Sequence, residues 1–294
     1  GTDVLNVLGE FVQENPALVK GVATFTGVVG GATVALTAYA AISKVIKALD
    51  MATMFGGMAG PIMLGVTAVA ALLQHNSSGI ISKAGQGMDR PKGLTGNTYL
   101  TWDSPIEKAM MKNIVNKDGG DWSKVKQIPN PPTAEAQDVQ QNPDHAIWVF
   151  YGWGGINAKV NKIDVDFFYI KDLNATFDYY TPVLIANNTF LKENPQAAKA
   201  FLAATAKGYQ YAIDHPEEAA DILIKSDDTG SLNGSEELVK ESQKWMAGQY
   251  ISDAKKWGYI DPARWNNFYK WLTDNKLVEK DISSNVGFTN DYLA

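Results

Sequence analysis

The chain has 294 residues, a formal net charge of −6, 45% hydrophobic and 20% charged side chains, and no cysteine. That length supplies core for one large domain or two ordinary ones, and the balance excludes wholesale disorder. Without cysteine there are no disulfides, thiolate metal sites or cysteine nucleophiles, and without a basic patch nucleic acid finds no surface to track.

The first 76 residues hold seven charged side chains (Asp3, Glu10, Glu14, Lys20, Lys44, Lys47 and Asp50) and no tryptophan, whereas all eight tryptophans lie from Trp102 onward. This shift marks a candidate domain boundary at 70–80. The opening GTDVLNVLGEFVQENP carries acids instead of a basic n-region, so as it stands it does not read as a secretory signal. Residues 21–43 and 51–74 run uncharged for 23 and 24 residues. Each is long enough to cross a ~30 Å hydrocarbon core, and Lys44 and Lys47 between them favour a cytoplasmic loop. The same runs are rich in Gly, Ala, Thr and Met, and Gly30-Gly31, Gly56-Gly57 and Gly60-Pro61 weaken a helix. An apolar helical pair that needs a protein partner is therefore the equal alternative to membrane contact through residues 21–74. ENPALVKG, the small-residue runs and GGMAGPIMLGVTAVAAL resemble the apolar region of phage tail tape-measure proteins over residues 5–72. That family brings no catalytic residues.

From residue 77 the pattern changes. Gly96–Thr101 reads as a strand ending in Trp102-Asp103-Ser104-Pro105. Ile106–Val115 follows as a helix with Ile106, Ala109, Met110 and Ile114 on one face. Ser104 as N-cap, Pro105 at the first position and Glu107 at the third make a strong helix start. Val125–Ile128 reads as a strand and Thr133–Gln141 as a helix. Ala146–Tyr151, uncharged, β-branched and aromatic, reads as a strand buried on both faces. Gly154–Val160 is a further helix, with strands at Val165–Ile170 and Val183–Ala186. The remainder is helical: Asn194–Asp214, Glu217–Lys225, Ser235–Gly248 and Pro262–Asn275, the last with Trp265, Phe268, Tyr269 and Leu272 at helical spacing. Alternation of this kind predicts a mainly parallel α/β sheet.

Nothing in the sequence supports catalysis. His75, His145 and His215 lie far apart with no metal-ligand spacing, and neither a nucleophile elbow nor a phosphate loop is present. Gly152-Trp153-Gly154-Gly155 reads as a strand-to-helix turn. No cofactor and no metal are expected.

SSGIISKAGQGMDRPKGLTGNTYLTWDSPIEKAMMKNIV, HAIWVFYGWGGINAK, FDYYTPVLIANNTFLKENPQAAKAFLAATAKGYQYAIDHPEEAADIL and WNNFYKWL resemble, in order and spacing, the substrate-binding proteins of ABC importers. The resemblance is to the branch for thiamine-pyrimidine precursors and sulfonates, covers residues 68–294, and is nearer the pyrimidine group. It implies a periplasmic-binding-protein-like α/β fold with parallel-sheet lobes. Residues 90–180 would form lobe two, and 73–89 with 181–294 a remnant of lobe one, behind an apolar helical segment over 1–72. Lobe one would be incomplete, because no strand–helix–strand unit precedes residue 68. The apolar helices are expected to cover part of the surface this exposes.

The implied partners are a small planar ligand and an ABC permease, on the outer side of a membrane. A planar ring asks for aromatic faces and a few hydrogen-bonding groups, which points to Trp102, Asp103, Tyr151, Trp153 and Tyr180 as lining. Ser77 and Ser78, in the crossover that the resemblance implies, would be polar contacts. Two other readings stay open: a structural or membrane-interacting protein of phage-tail type, and a fusion whose binding half no longer takes a ligand.

Overall fold

The computed structural model describes residues 65–293. The uncharged run at 21–43, residues 51–64 and nearly all of the tape-measure-like segment lie outside the described residues, as do the helices expected to cover lobe one.

Seven strands and nine α-helices follow one another among the described residues: β1 (Val66–Ala71), β2 (Ser78–Lys83), β3 (Thr98–Thr101), α1 (Pro105–Lys117), β4 (Lys126–Pro129), α2 (Glu135–Gln141), β5 (His145–Phe150), α3 (Ile156–Val160), β6 (Val165–Tyr169), α4 (Ile170–Leu173), β7 (Val183–Asn187), α5 (Asn188–Glu193), α6 (Pro195–Asp214), α7 (Pro216–Lys225), α8 (Glu236–Ala247) and α9 (Pro262–Asp274). The strands form a five-stranded sheet in the order β4-β3-β5-β2-β6 and a two-stranded sheet of β1 and β7. In the larger sheet β3 runs parallel to β4 and β5, while β2 runs antiparallel to β5 and β6. The sheet is thus mixed, where alternation alone predicts a mainly parallel one. The reason lies in connectivity. β2 arrives from β1 across residues 72–77, at the edge where the other strands end, and so must run the opposite way.

Alternation at period two places the two faces of this sheet in different cores. Ile80, Tyr99, Ala146 and Trp148 join Ile106, Met110 and Ile114 of α1 and Trp265, Phe268 and Leu272 of α9. On the other face Ile81, Leu100, Ile147 and Val149 pack with Ala136 and Val139 of α2 and Ala158 of α3. A third core joins Val69, Ala70 and Leu73 to Leu191, Ala198, Leu202, Tyr250 and Trp257. Helix starts follow sequence chemistry: Asp261, ahead of Pro262, accepts a bond from the Arg264 N–H at 2.9 Å.

Two expectations are corrected here. Residues 66–71, read as the end of an apolar helix, are a strand pairing antiparallel with β7. The opposite side of this strand is also occupied: the Ala68 N–H donates to the Gly287 carbonyl at 2.8 Å and the Thr289 N–H to the Ala68 carbonyl at 2.9 Å. Ala68, Ala70 and Ala71 are fully buried, so this end of the 21–74 run faces protein, not lipid. No helix among the described residues is long and apolar enough to cross a membrane. Second, residues 78–83, placed with lobe one by sequence, are β2 of the larger sheet. The C-terminal helix α9 likewise shares its core with β3, β5 and α1.

Candidate functional site at the carboxyl edge of the larger sheet

Strands β3, β4, β5 and β6 all end at one edge, and β2 begins there. The edge therefore gathers the Trp102–Ser104 turn after β3, the Tyr151–Gly155 turn after β5, and Ser77 and Ser78 ahead of and within β2.

The first turn is built on a buried anion. Glu107 is fully buried. Its Oε1 accepts from the Tyr99 hydroxyl at 2.5 Å and the Trp102 N–H at 3.1 Å, and its Oε2 from the Thr101 hydroxyl at 3.0 Å and the Ser104 N–H at 3.3 Å. Four donors replace the water that a carboxylate loses on burial. Burial pushes the Tyr99 hydroxyl well above its usual pKa, and the Glu107 charge pushes the same way. The Asp103 N–H donates to Thr101 Oγ1 at 2.9 Å, which holds Asp103 at φ 65°, a left-handed conformation that Asp tolerates better than most residues. Asp103 itself is exposed and ion-paired with Lys108. Trp102 is partly buried against the main core. The Trp102 and Ser104 N–H groups at this helix start are committed to Glu107.

The second turn is one π-type turn leading into α3. Tyr151 donates its N–H to the Ser77 carbonyl at 2.9 Å, which ties this turn to β2. Its ring lies 5.1 Å from Phe167, 5.6 Å from Tyr169 and 5.2 Å from Trp245 of α8, centroid to centroid. Gly152 allows that approach: a Cβ there would sit 2.8 Å from Met246 Sδ and 2.9 Å from the Trp245 ring. The Ser242 hydroxyl donates to the Gly152 carbonyl, and Lys159 pairs with Glu241 at 3.3 Å. Helix α8 thus lies against this turn. Trp153 stays 44% exposed.

The remaining expected residues are engaged internally. Ser78 donates its hydroxyl to Asn76 Oδ1 at 2.6 Å and is fully buried, and Ser77 is buried. Tyr180 is buried, and its hydroxyl accepts from the Asp261 N–H at 2.8 Å, with the Arg264 guanidinium 5.3 Å from its ring. So the structure brings Ser77, Ser78, Trp102, Asp103, Tyr151 and Trp153 to one edge, while Tyr180 belongs to a strap joining the two sheets.

That strap is the part sequence reasoning missed. His75 Nδ1 lies 2.6 Å from Asp178 and Nε2 3.1 Å from Asp253. Arg264 reaches the same two carboxylates at 3.5 and 3.6 Å and donates to the Gln74 carbonyl. Asn76 donates its N–H to Asp178 Oδ1 at 2.9 Å and its side-chain amide to the Phe177 carbonyl at 2.8 Å. Burial acts most strongly on Asp178, pushing its carboxyl up. The His75 bond, the Asn76 N–H and the charges of His75 and Arg264 together outweigh it and hold the group below the usual carboxylate range. The only signal in the sequence was the density of polar residues in Gln74-His75-Asn76, flanked by apolar runs.

Two shallow depressions, of about 420 and 360 Å³, lie elsewhere, one beside Gln196, Lys199 and Tyr292 and one beside His215, Glu217 and Lys244. None of the seven expected residues lines them. Among the described residues no group of three or more His, Asp or Glu side chains is placed to hold a metal ion.

Comparison with known proteins agrees with this architecture. Formylaminopyrimidine-binding protein of Halalkalibacterium halodurans is 23% identical over 227 residues, spanning 77% of this chain and 68% of its own. The periplasmic aliphatic sulphonate binding protein SsuA of Escherichia coli superposes with a TM-score of 0.56 at 13% identity, over 79% of this chain and 76% of SsuA. The desulfurization enzyme DSZB, in complex with biphenyl-2-sulfinic acid, superposes with a TM-score of 0.55 at 10% identity, over 82% of this chain and 86% of its own. These superpositions establish a shared fold, one that hosts both binding proteins and an enzyme. The family model described as NMT1/THI5 like matches residues 60–219, so the family pattern begins eight residues before the point at which the sequence resemblance starts. A match over more than half of its length places this chain in the NMT1/THI5-like family.

Proposed function

We propose that the chain is the solute-binding component of an ABC importer, acting outside the cytoplasm. It would capture a small planar solute of the aminopyrimidine class at the carboxyl edge and release it to a permease. The observation that carries this reading is the convergence of Trp102, Tyr151 and Trp153 on turns that follow adjacent strands. A flat heteroaromatic ring needs π faces together with a few fixed polar groups, and such edges are where α/β folds offer both. Helix α8, seated on the Tyr151–Gly155 turn through Ser242, Trp245 and Glu241, supplies the opposing wall. Capture then requires these three contacts to part and re-form.

The test is titration of the folded protein with a formylaminopyrimidine, followed by calorimetry and tryptophan fluorescence. Saturable binding that weakens in Trp153→Ala supports the reading. A folded sample giving neither heat nor a fluorescence change sinks it. One observation favours a second reading, a binding fold that no longer captures ligand: α8 already fills the space over the turn, while Ile185, Phe201, Ile222 and Leu223 stand exposed. The same titration separates the two.

A further inference from the structure

We propose that Glu107, assisted by Asp103, is the charge filter of the carboxyl edge, so that the site admits neutral or cationic heterocycles and rejects anions such as sulfonates. The inference rests on solute capture at that edge.

Four donors satisfy the Glu107 carboxylate geometrically, but all four are neutral: a phenol, an alcohol and two backbone N–H groups. Its negative charge is therefore solvated without being cancelled by a cation. The carboxylate also occupies the start of α1, where N–H groups and the helix dipole would otherwise attract an anion. Asp103, in the same turn, adds a second carboxylate, offset by Lys108. A further cation at this edge, Lys171, lies over the Tyr169 ring at 5.1 Å. It sits at the far side of the sheet, three strand spacings from β3, or roughly 14 Å. At the turn after β3 the balance is negative. At an effective dielectric near 20, a unit charge changes the affinity for a ligand of unit charge by about tenfold or more at any separation up to roughly 12 Å. The exposed Asp103 contributes less because solvent screens it.

The experiment is calorimetry at fixed ionic strength with three probes: a formylaminopyrimidine, its deformylated and protonated amine, and ethanesulfonate. The protein is expected to bind both pyrimidines and to bind ethanesulfonate at least about 30-fold more weakly. Because loss of the charge weakens the cation and strengthens the anion, Glu107→Gln should narrow the cation-over-anion affinity ratio by about 100-fold, and Asp103→Asn by about tenfold. A loss of turn geometry weakens all three probes together, whereas loss of charge moves the ratio, so the two effects separate. Asp103→Asn keeps an experiment in hand should Glu107→Gln fold poorly, since Asn also tolerates φ near 65°. Wild-type protein that binds ethanesulfonate as tightly as the pyrimidines overturns the filter, as does a ratio unmoved in both variants. If wild-type protein binds none of the three, the capture reading itself falls and the filter with it.

Discussion

Replacing Glu107 by glutamine tests the buried hub with a change of one heavy atom. Each carboxylate oxygen faces one hydroxyl and one backbone N–H: Tyr99 and Trp102 on Oε1, Thr101 and Ser104 on Oε2. A hydroxyl can turn and accept from the new amide, but a backbone N–H cannot. Whichever way the substituted side chain is flipped, its NH₂ meets an N–H, and one buried donor is left without an acceptor. An orphaned buried donor costs about 1–3 kcal/mol, and the surviving bonds lose their charge assistance. Relief of the buried charge offsets part of this. The expected loss is therefore about 2 kcal/mol for Glu107→Gln and at least ~3 kcal/mol for Glu107→Leu, which orphans both N–H groups at once. Urea unfolding followed by tryptophan fluorescence measures both. A Gln variant within ~0.5 kcal/mol of wild type, or equal losses in Gln and Leu, would refute the claim that this carboxylate holds the turn by directed bonds.

Three other substitutions probe the remaining architecture. Because Asp178 has its pKa held below the ordinary carboxylate value, it contributes stability above about pH 4 that disappears as pH falls through its folded value. Asp178→Asn should be less stable than wild type at pH 7 and should show a shallower loss on acidification in pH-dependent unfolding; parallel curves would contradict the strap. A Cβ at Gly79 would collide with the Phe167 ring and the Phe168 carbonyl of the neighbouring strand, so Gly79→Ala should lower stability by about 1–3 kcal/mol, and an unchanged denaturation midpoint would show that β6 yields freely. Trp153→Ala, by contrast, removes an exposed ring. It should alter stability by no more than ~0.5 kcal/mol while weakening pyrimidine binding at least about tenfold by calorimetry, and a large stability loss would make Trp153 a packing residue.

Nearly every element from β3 onward was legible from the sequence, because each carries its own local signal. Ser104-Pro105 and Asp261-Pro262 open helices by chemistry confined to four residues, and Ala146–Tyr151 declares a buried strand through five successive β-branched and aromatic side chains after Ala146. Trp265, Phe268, Tyr269 and Leu272 announced a packed face, and all four are buried. The two turns carrying Trp102 and Trp153 were found the same way, as breaks that follow strands. The roles inside them were not legible. Glu107 looked like a capping carboxylate and is also the acceptor for Tyr99 and Thr101, side chains that reach it only because β3 lies beneath α1.

What the sequence determined by itself was periodicity, capping and composition, which are properties of neighbours along the chain. Tertiary structure decided the rest. Val66–Ala71 is too small and uniform to declare a period, and pairing with β7 and the tail at residues 287–289 makes it a strand. The strap of His75, Asp178, Asp253 and Arg264 draws on segments up to 190 residues apart. No spacing rule spans such distances, since each charge is stabilised by partners that only the folded backbone brings within reach.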